Sequence, residues 1–177
     1  MSLILPPADE AVALSVPMFD GVDKQTALAL LDGSKITAHP KGTLLFSQGD
    51  PADRLFLVLS GRVNLFVLTE AGDQSIIEVI DQGQSFAEGA IFASRRFPIN
   101  ADVAPGARLL EVPAQLFLRR LAENTRLAAM LLASLARWQR RLFNEIADIK
   151  SRSPVQRLGL FMLAQVQQDG AHSQPHH

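Results

Sequence analysis

Residues 41–67 read KGTLLFSQGDPADRLFLVLSGRVNLFV, and the fold class turns on them. Three strand-length runs rich in β-branched and aromatic residues are separated by QGD at Gln48–Asp50 and by Gly61. Such residues suit a pleated, half-buried surface, and glycine supplies the positive φ that tight turns need. In VNLFVL, alternation puts Val63, Leu65 and Val67 on one face and Asn64, Phe66 and Leu68 on the other.

The rhythm continues outward in SIIEVI and ARLLEV, with Gly42, Gly72, Gly83 and Gly106 as further punctuation. EAGDQ and APGAR are expected to be hairpin turns. Short strands at this spacing predict a β-sandwich or barrel-like roll over residues 35–121, interrupted by one short helix within Gly83–Phe92. Residues 1–34 form a helical lead-in, with Asp20 or Asp23 as cap and Gly33 as stop.

After Pro113 the pattern turns helical. PAQLFLRRLAEN gives a short helix, and a long one follows over residues 122–150, with Asn124 or Thr125 as its cap. Counted from Leu127, Leu131, Leu135, Trp138, Leu142, Ile146 and Ile149 recur at intervals of 4, 4, 3, 4, 4 and 3, the spacing of a helix that pairs with a second helix. SRSP ends it. Residues 151–177 are a connector helix opening at Pro154 and a tail, AHSQPHH, without structural pattern. The fold class is therefore α+β.

At 177 residues the chain fits one domain plus an appendage, and 47% hydrophobic residues mark it as globular. A net charge of −1 gives no general attraction for nucleic acid. The absence of cysteine excludes disulfides, thiolate metal sites and cysteine-ligated iron–sulfur clusters. The N-terminus lacks the pattern of a secretory signal, and the longest strongly apolar stretch, Ala128–Ala136, is too short to span a bilayer. A cytoplasmic protein without membrane contact is expected. No nucleophile–base pair, phosphate-binding glycine loop or metal-ligand spacing points to an enzyme.

The order KGTLLFSQGDPADRLFLVLSGRVNLFV, then AGDQSIIEVIDQGQSFAEGAIF, then a long helix, resembles the sensor domain of CRP/FNR-family bacterial transcription regulators from about Lys41 to Gln167. The resemblance implies a jelly-roll-like β-roll (a double-stranded β-helix), a dimerisation helix and a homodimer. It also implies a C-terminal helix-turn-helix domain through which DNA is bound. No recognition-helix pattern remains in QDGAHSQPHH, so the chain is expected to be a sensor fragment.

In cyclic-nucleotide binders of that family, a short helix presents a glutamate to the ribose, and an arginine about ten residues later forks onto the phosphate. A buried phosphate needs such a partner. Here Glu88 falls at the glutamate position, while Ile99 and Asn100 fall where the arginine and a hydroxyl residue would be. Leaving the phosphate unpaired would cost at least about 2–3 kcal/mol. Arg95 and Arg96 could restore a cation through a shifted loop. The expected ligand pocket comprises Phe86, Ala87, Glu88, Gly89, Phe92, Arg95, Arg96, Ile99 and Asn100.

Three readings stay open. Within the family the chain is similar to the branch that regulates dissimilatory nitrate respiration, on SFAE, the apolar GAIF, the following proline and LAENTRLAAMLLASL. That resemblance implies a redox or gas signal, nitric oxide through haem, with His39 as one candidate ligand. His172, His176 and His177 lie in the tail. The second reading is cyclic AMP or cyclic GMP held by Arg95 or Arg96. The third is a ligand-free dimerisation module whose pocket Phe92, Phe97 and Ile99 fill.

Overall fold

The computed structural model describes residues 4–133. Helix α1 (Pro7–Leu14), a 3₁₀ turn (Pro17–Phe19) and α2 (Lys24–Leu31) precede the strands. β1 (Lys35–His39), β2 (Thr43–Phe46), β3 (Arg54–Ser60), β4 (Arg62–Leu68), β5 (Gln74–Asp81) and β6 (Ser85–Phe86) follow. Then come α3 (Glu88–Phe92), β7 (Asn100–Val103), β8 (Ala107–Pro113) and α4 (Ala114–Glu123). A further helix runs from residue 125 to 133, with Asn124 Oδ1 accepting from the Leu127 N–H at 3.0 Å as its cap. Asp23, not Asp20, caps α2 by accepting from the Thr26 N–H.

The strands form two antiparallel four-stranded sheets, ordered β1-β8-β3-β6 and β2-β7-β4-β5. This is the expected jelly-roll arrangement. EAGDQ is the hairpin turn between paired strands β4 and β5. APGAR is not a hairpin: it carries the chain from β7 in the second sheet to β8 in the first. Gly61 makes the corresponding corner between β3 and β4. Its φ is +79°, and an added Cβ would lie 2.7 Å from the Cβ of Ala107, so neither the backbone angle nor the space tolerates a side chain. Strands β1, β6 and β7 fall outside the five apolar runs that the sequence marks as strands.

Partners across antiparallel strands share a face. In the first sheet one inward row runs Lys35–Glu111–Phe56–Phe86. In the second the matching row runs Phe46–Ala101–Leu65–Glu78. The two rows meet in an aromatic cluster. Phe46 stacks on Phe97 with centroids 3.7 Å apart and planes 11° from parallel, and Phe56 stacks on Phe86 at 5.0 Å. Phe46 also meets Phe56 at 5.8 Å.

The outer side of β3 is equally covered: Leu55 to Leu59 are all buried, with α1 and α4 packed against the strand. Asp9 fixes α1 to β8 by accepting from both Nη1 and Nη2 of Arg108, at 2.8 and 2.7 Å. Arg120 of α4 donates to the carbonyls of Leu30 and Asp32, satisfying the open end of α2.

Of the helical stripe, Leu131 is within the described residues and, with Leu127, joins the core. Leu135, Trp138, Leu142, Ile146 and Ile149 lie outside the described residues, as do residues 151–177.

Phe56 touches three rings of the cluster and is 2% exposed. Replacing it with alanine should destabilise the fold by about 3–5 kcal/mol in urea unfolding. A loss below about 1 kcal/mol would mean that the cluster does not hold the two sheets together.

Candidate functional site

The segment from Ala87 to Arg96 is an excursion between two buried aromatic residues. Phe86 enters it and Phe97 leaves it, and both belong to the aromatic cluster. Just inside each end stands a non-glycine residue with positive φ, Ala87 at +74° and Arg95 at +54°. Side chains occupy that region at a cost, so the surrounding contacts must hold it.

Those contacts are visible on one side. The turn Gly49–Ala52 is laced to the end of the excursion by Gly49 N–H to Phe97 O at 2.8 Å, Ala52 N–H to Arg95 O at 2.8 Å and Phe97 N–H to Asp50 O at 3.0 Å. Arg96 adds a fourth tie, donating from Nη1 to the Gly49 carbonyl at 2.7 Å. Its guanidinium is thus engaged with backbone on the turn. Arg95 is exposed, and among the described residues no hydrogen bond or ion pair reaches its side chain.

Ile99 is half-buried and packs against the core. Asn100 is 8% exposed: its Oδ1 accepts from the Gln48 N–H at 2.9 Å and its Nδ2 donates to the Phe66 carbonyl. It is a cross-brace between strands. Phe92 is 49% exposed and meets Phe117 of α4 edge-on at 6.4 Å, so it does not fill the interior. Phe97 does.

Glu88 is the half-buried first residue of α3. Burial pushes its carboxyl above the ordinary carboxylate range. Hydrogen bonds from Ser85 and from its own backbone N–H offset part of that rise, and the nearby Glu78 charge adds to it. Glu78 ends the matching row of the second sheet, so among the described residues Glu88 faces a like charge and no guanidinium.

His39 ends β1, at the opposite edge of the first sheet from β6 and α3, and its Nε2 lies 3.3 Å from Thr37 Oγ1. It does not reach the Glu88 site. Met18 is a core residue of the 3₁₀ turn. Among the described residues no axial ligand for a haem iron stands beside α3, and no three histidine or acidic side chains converge as a metal site. The site as described does not fit haem.

Residues 36–124, half of the chain, match the family model for the cyclic nucleotide-binding domain. The chain belongs to that family. This cyclic nucleotide-binding domain is 26% identical over 132 residues to the CRP-like cAMP-activated global transcriptional regulator of Mycobacterium tuberculosis, across 75% of this chain and 59% of that protein. It is 26% identical over 121 residues to the cyclic AMP receptor protein of Thermus thermophilus, across 68% of this chain and 56% of that protein. Among solved structures, the sensor domain of the transcriptional regulator DNR from Pseudomonas aeruginosa is 30% identical with a TM-score of 0.63. That match covers 81% of this chain and 95% of the DNR domain. The chain thus spans less than two thirds of the curated relatives. No helix among the described residues is long and apolar enough to cross a membrane.

Sequence reasoning missed Glu78, Phe46 and Phe56 as parts of the site. Their roles come from cross-strand register, which only the paired sheets reveal.

A raised carboxyl has a defined signature. The folded domain keeps the Glu88 proton to higher pH than the unfolded chain does. This group therefore lowers stability as pH rises from about 4.5 through the folded pKa. Glu88→Gln should flatten the fall in urea stability between pH 4.5 and 7 and leave the variant at least as stable at pH 7. An unchanged slope would contradict the assignment.

Proposed function

We propose that this domain is the signal-sensing part of a homodimeric transcription regulator of the CRP/FNR type, and that its signal is not a cyclic nucleotide. In this reading, DNA binding belongs to a further domain of the whole regulator, and the long helix joins two copies. The observation that carries the reading is that no cation among the described residues faces Glu88. Isoleucine and an asparagine that braces two strands stand at the clamp positions, and the Arg96 guanidinium holds a backbone carbonyl. A cyclic phosphate entering beside Glu88 would meet two carboxylates and an apolar wall. Charge burial without a partner is among the most costly events in a protein interior.

A gas or redox signal carried by haem, which the resemblance to the nitrate-respiration branch implies, finds no iron ligand at α3 among the described residues and is no part of this proposal. A second reading has one observation behind it: Arg95 is exposed and unpaired among the described residues. Swung inward, it would supply the missing clamp, in keeping with the cyclic AMP named for two of the relatives.

Calorimetric titration decides between them. We expect no saturable heat from cyclic AMP or cyclic GMP up to on the order of 1 mM. Micromolar binding of either nucleotide that Arg95→Ala abolishes would replace the first reading with the second.

A further inference from the structure

Among the described residues, Ala87 and Arg95 are the two non-glycine residues with positive φ, and they bracket residues 88–94. Left-handed backbone is costly for a residue that carries a Cβ. Strain of this kind persists where the surrounding structure enforces it, and it gathers at parts that change conformation.

Arg95 is a border in the hydrogen bonding as well. Its carbonyl accepts from the Ala52 N–H at 2.8 Å and so belongs to the frame built by the Gly49–Ala52 turn. Its N–H donates to the Ala90 carbonyl at 2.8 Å and so belongs to α3. Ala87 is the border on the other side. Phe86, just before it, pairs with Phe56 of β3. The Ala87 carbonyl accepts from the N–H groups of Ala90 and Ile91, at 3.1 and 3.3 Å.

Between these borders the chain has little stability of its own. α3 is five residues long, carries glycine at its second position and has no side-chain hydrogen bond at its N-cap. A helix this short does not hold by itself, and an interior glycine weakens it further. Residues 92–96 are exposed. The segment is held down by the burial of Ala90 and Ile91, the bond from Ser85 to Glu88 and the edge contact of Phe92 with Phe117. The frame rests on more: the stacked ring of Phe97 and the backbone bonds of Gly49, Ala52 and Phe97.

We propose that residues 88–94 are a strained lid, which opens as a unit by turning about Ala87 and Arg95 while the frame and both sheets stay closed. Opening relieves the left-handed backbone at the two hinges and brings Glu88 into solvent. It breaks the bonds donated by the N–H groups of Ala90, Ile91 and Arg95, and that from Ala93 to the Gly89 carbonyl at 3.0 Å. That the lid governs a sensing site rests on the function proposed above; that it opens does not. A signal seated beside Glu88 would shift the balance towards the closed form.

The test is native-state hydrogen exchange of the full chain, without ligand, at rising urea below the unfolding transition. The amides of Ala90, Ile91, Ala93 and Arg95 are expected to exchange through one shared opening. That opening should be at least about 100-fold more frequent than the one that exposes Gly49, Ala52 and Phe97, and should depend little on urea. Ala87→Gly relieves a hinge and should slow all four amides about fivefold, and Arg95→Gly should do the same. Ala90→Gly, within α3, should speed them. An ordinary flexible loop would respond to all three glycines in one direction. The proposal fails if the four amides exchange only with global unfolding, if their rates are unrelated, or if neither hinge glycine slows them. Cyclic nucleotide binding, which would overturn the function proposed above, has no bearing on rates measured without ligand.

Discussion

The stacking of Phe97 on Phe46 is the interaction on which this domain most depends. At 3.7 Å between centroids and nearly parallel, the two rings fix the point where the α3 excursion rejoins the sheet. Phe86, in the same cluster, fixes the point where it leaves. With both ends anchored, the turn Gly49–Ala52 can lace itself to the returning strand through backbone hydrogen bonds. Buried aromatic pairs supply burial and a preferred geometry together, which few other contacts do.

That anchoring governs the electrostatics. The lacing engages the Arg96 guanidinium, which donates in one of the ties. It also fixes Ile99 against the core and holds Asn100 as a brace. The middle of the roll is therefore apolar, with the half-buried Glu88 at one end of the first sheet's row and the buried Glu111 towards the other. Glu111 pairs with Arg54 and Lys35, whereas among the described residues Glu88 faces a second carboxylate and no cation. A buried anion needs a cation to complete its site, and here the loop geometry engages the Arg96 guanidinium with the backbone.

The family and the roll were legible in the sequence because both follow from local signals. Apolar runs of strand length, glycine at the corners and a glutamate opening a short helix each carry their meaning within a few residues. The strands that went unread are those with weak local signals. β1, KITAH, is half polar, and β6 is two residues long. APGAR looked like a hairpin because the residues that distinguish a hairpin from a sheet-to-sheet corner are its distant pairing partners. Ile99, placed by the resemblance at the clamp position, packs against the core. The aromatic cluster was not read, since its four members are spread from Phe46 to Phe97 and meet only through register. His39 stood out in the sequence by residue type alone, and the sheet order puts it at the wrong edge.

The most direct test of the anchoring is native-state hydrogen exchange at the amides of Gly49, Ala52 and Phe97, whose hydrogen bonds make the lacing. The account predicts that all three exchange only with the opening of the sheets, as slowly as the amides of β3, and that Phe97→Ala speeds Gly49 and Ala52 while β3 stays protected. Exchange of these amides at the rate of an exposed loop in the wild-type protein would contradict it.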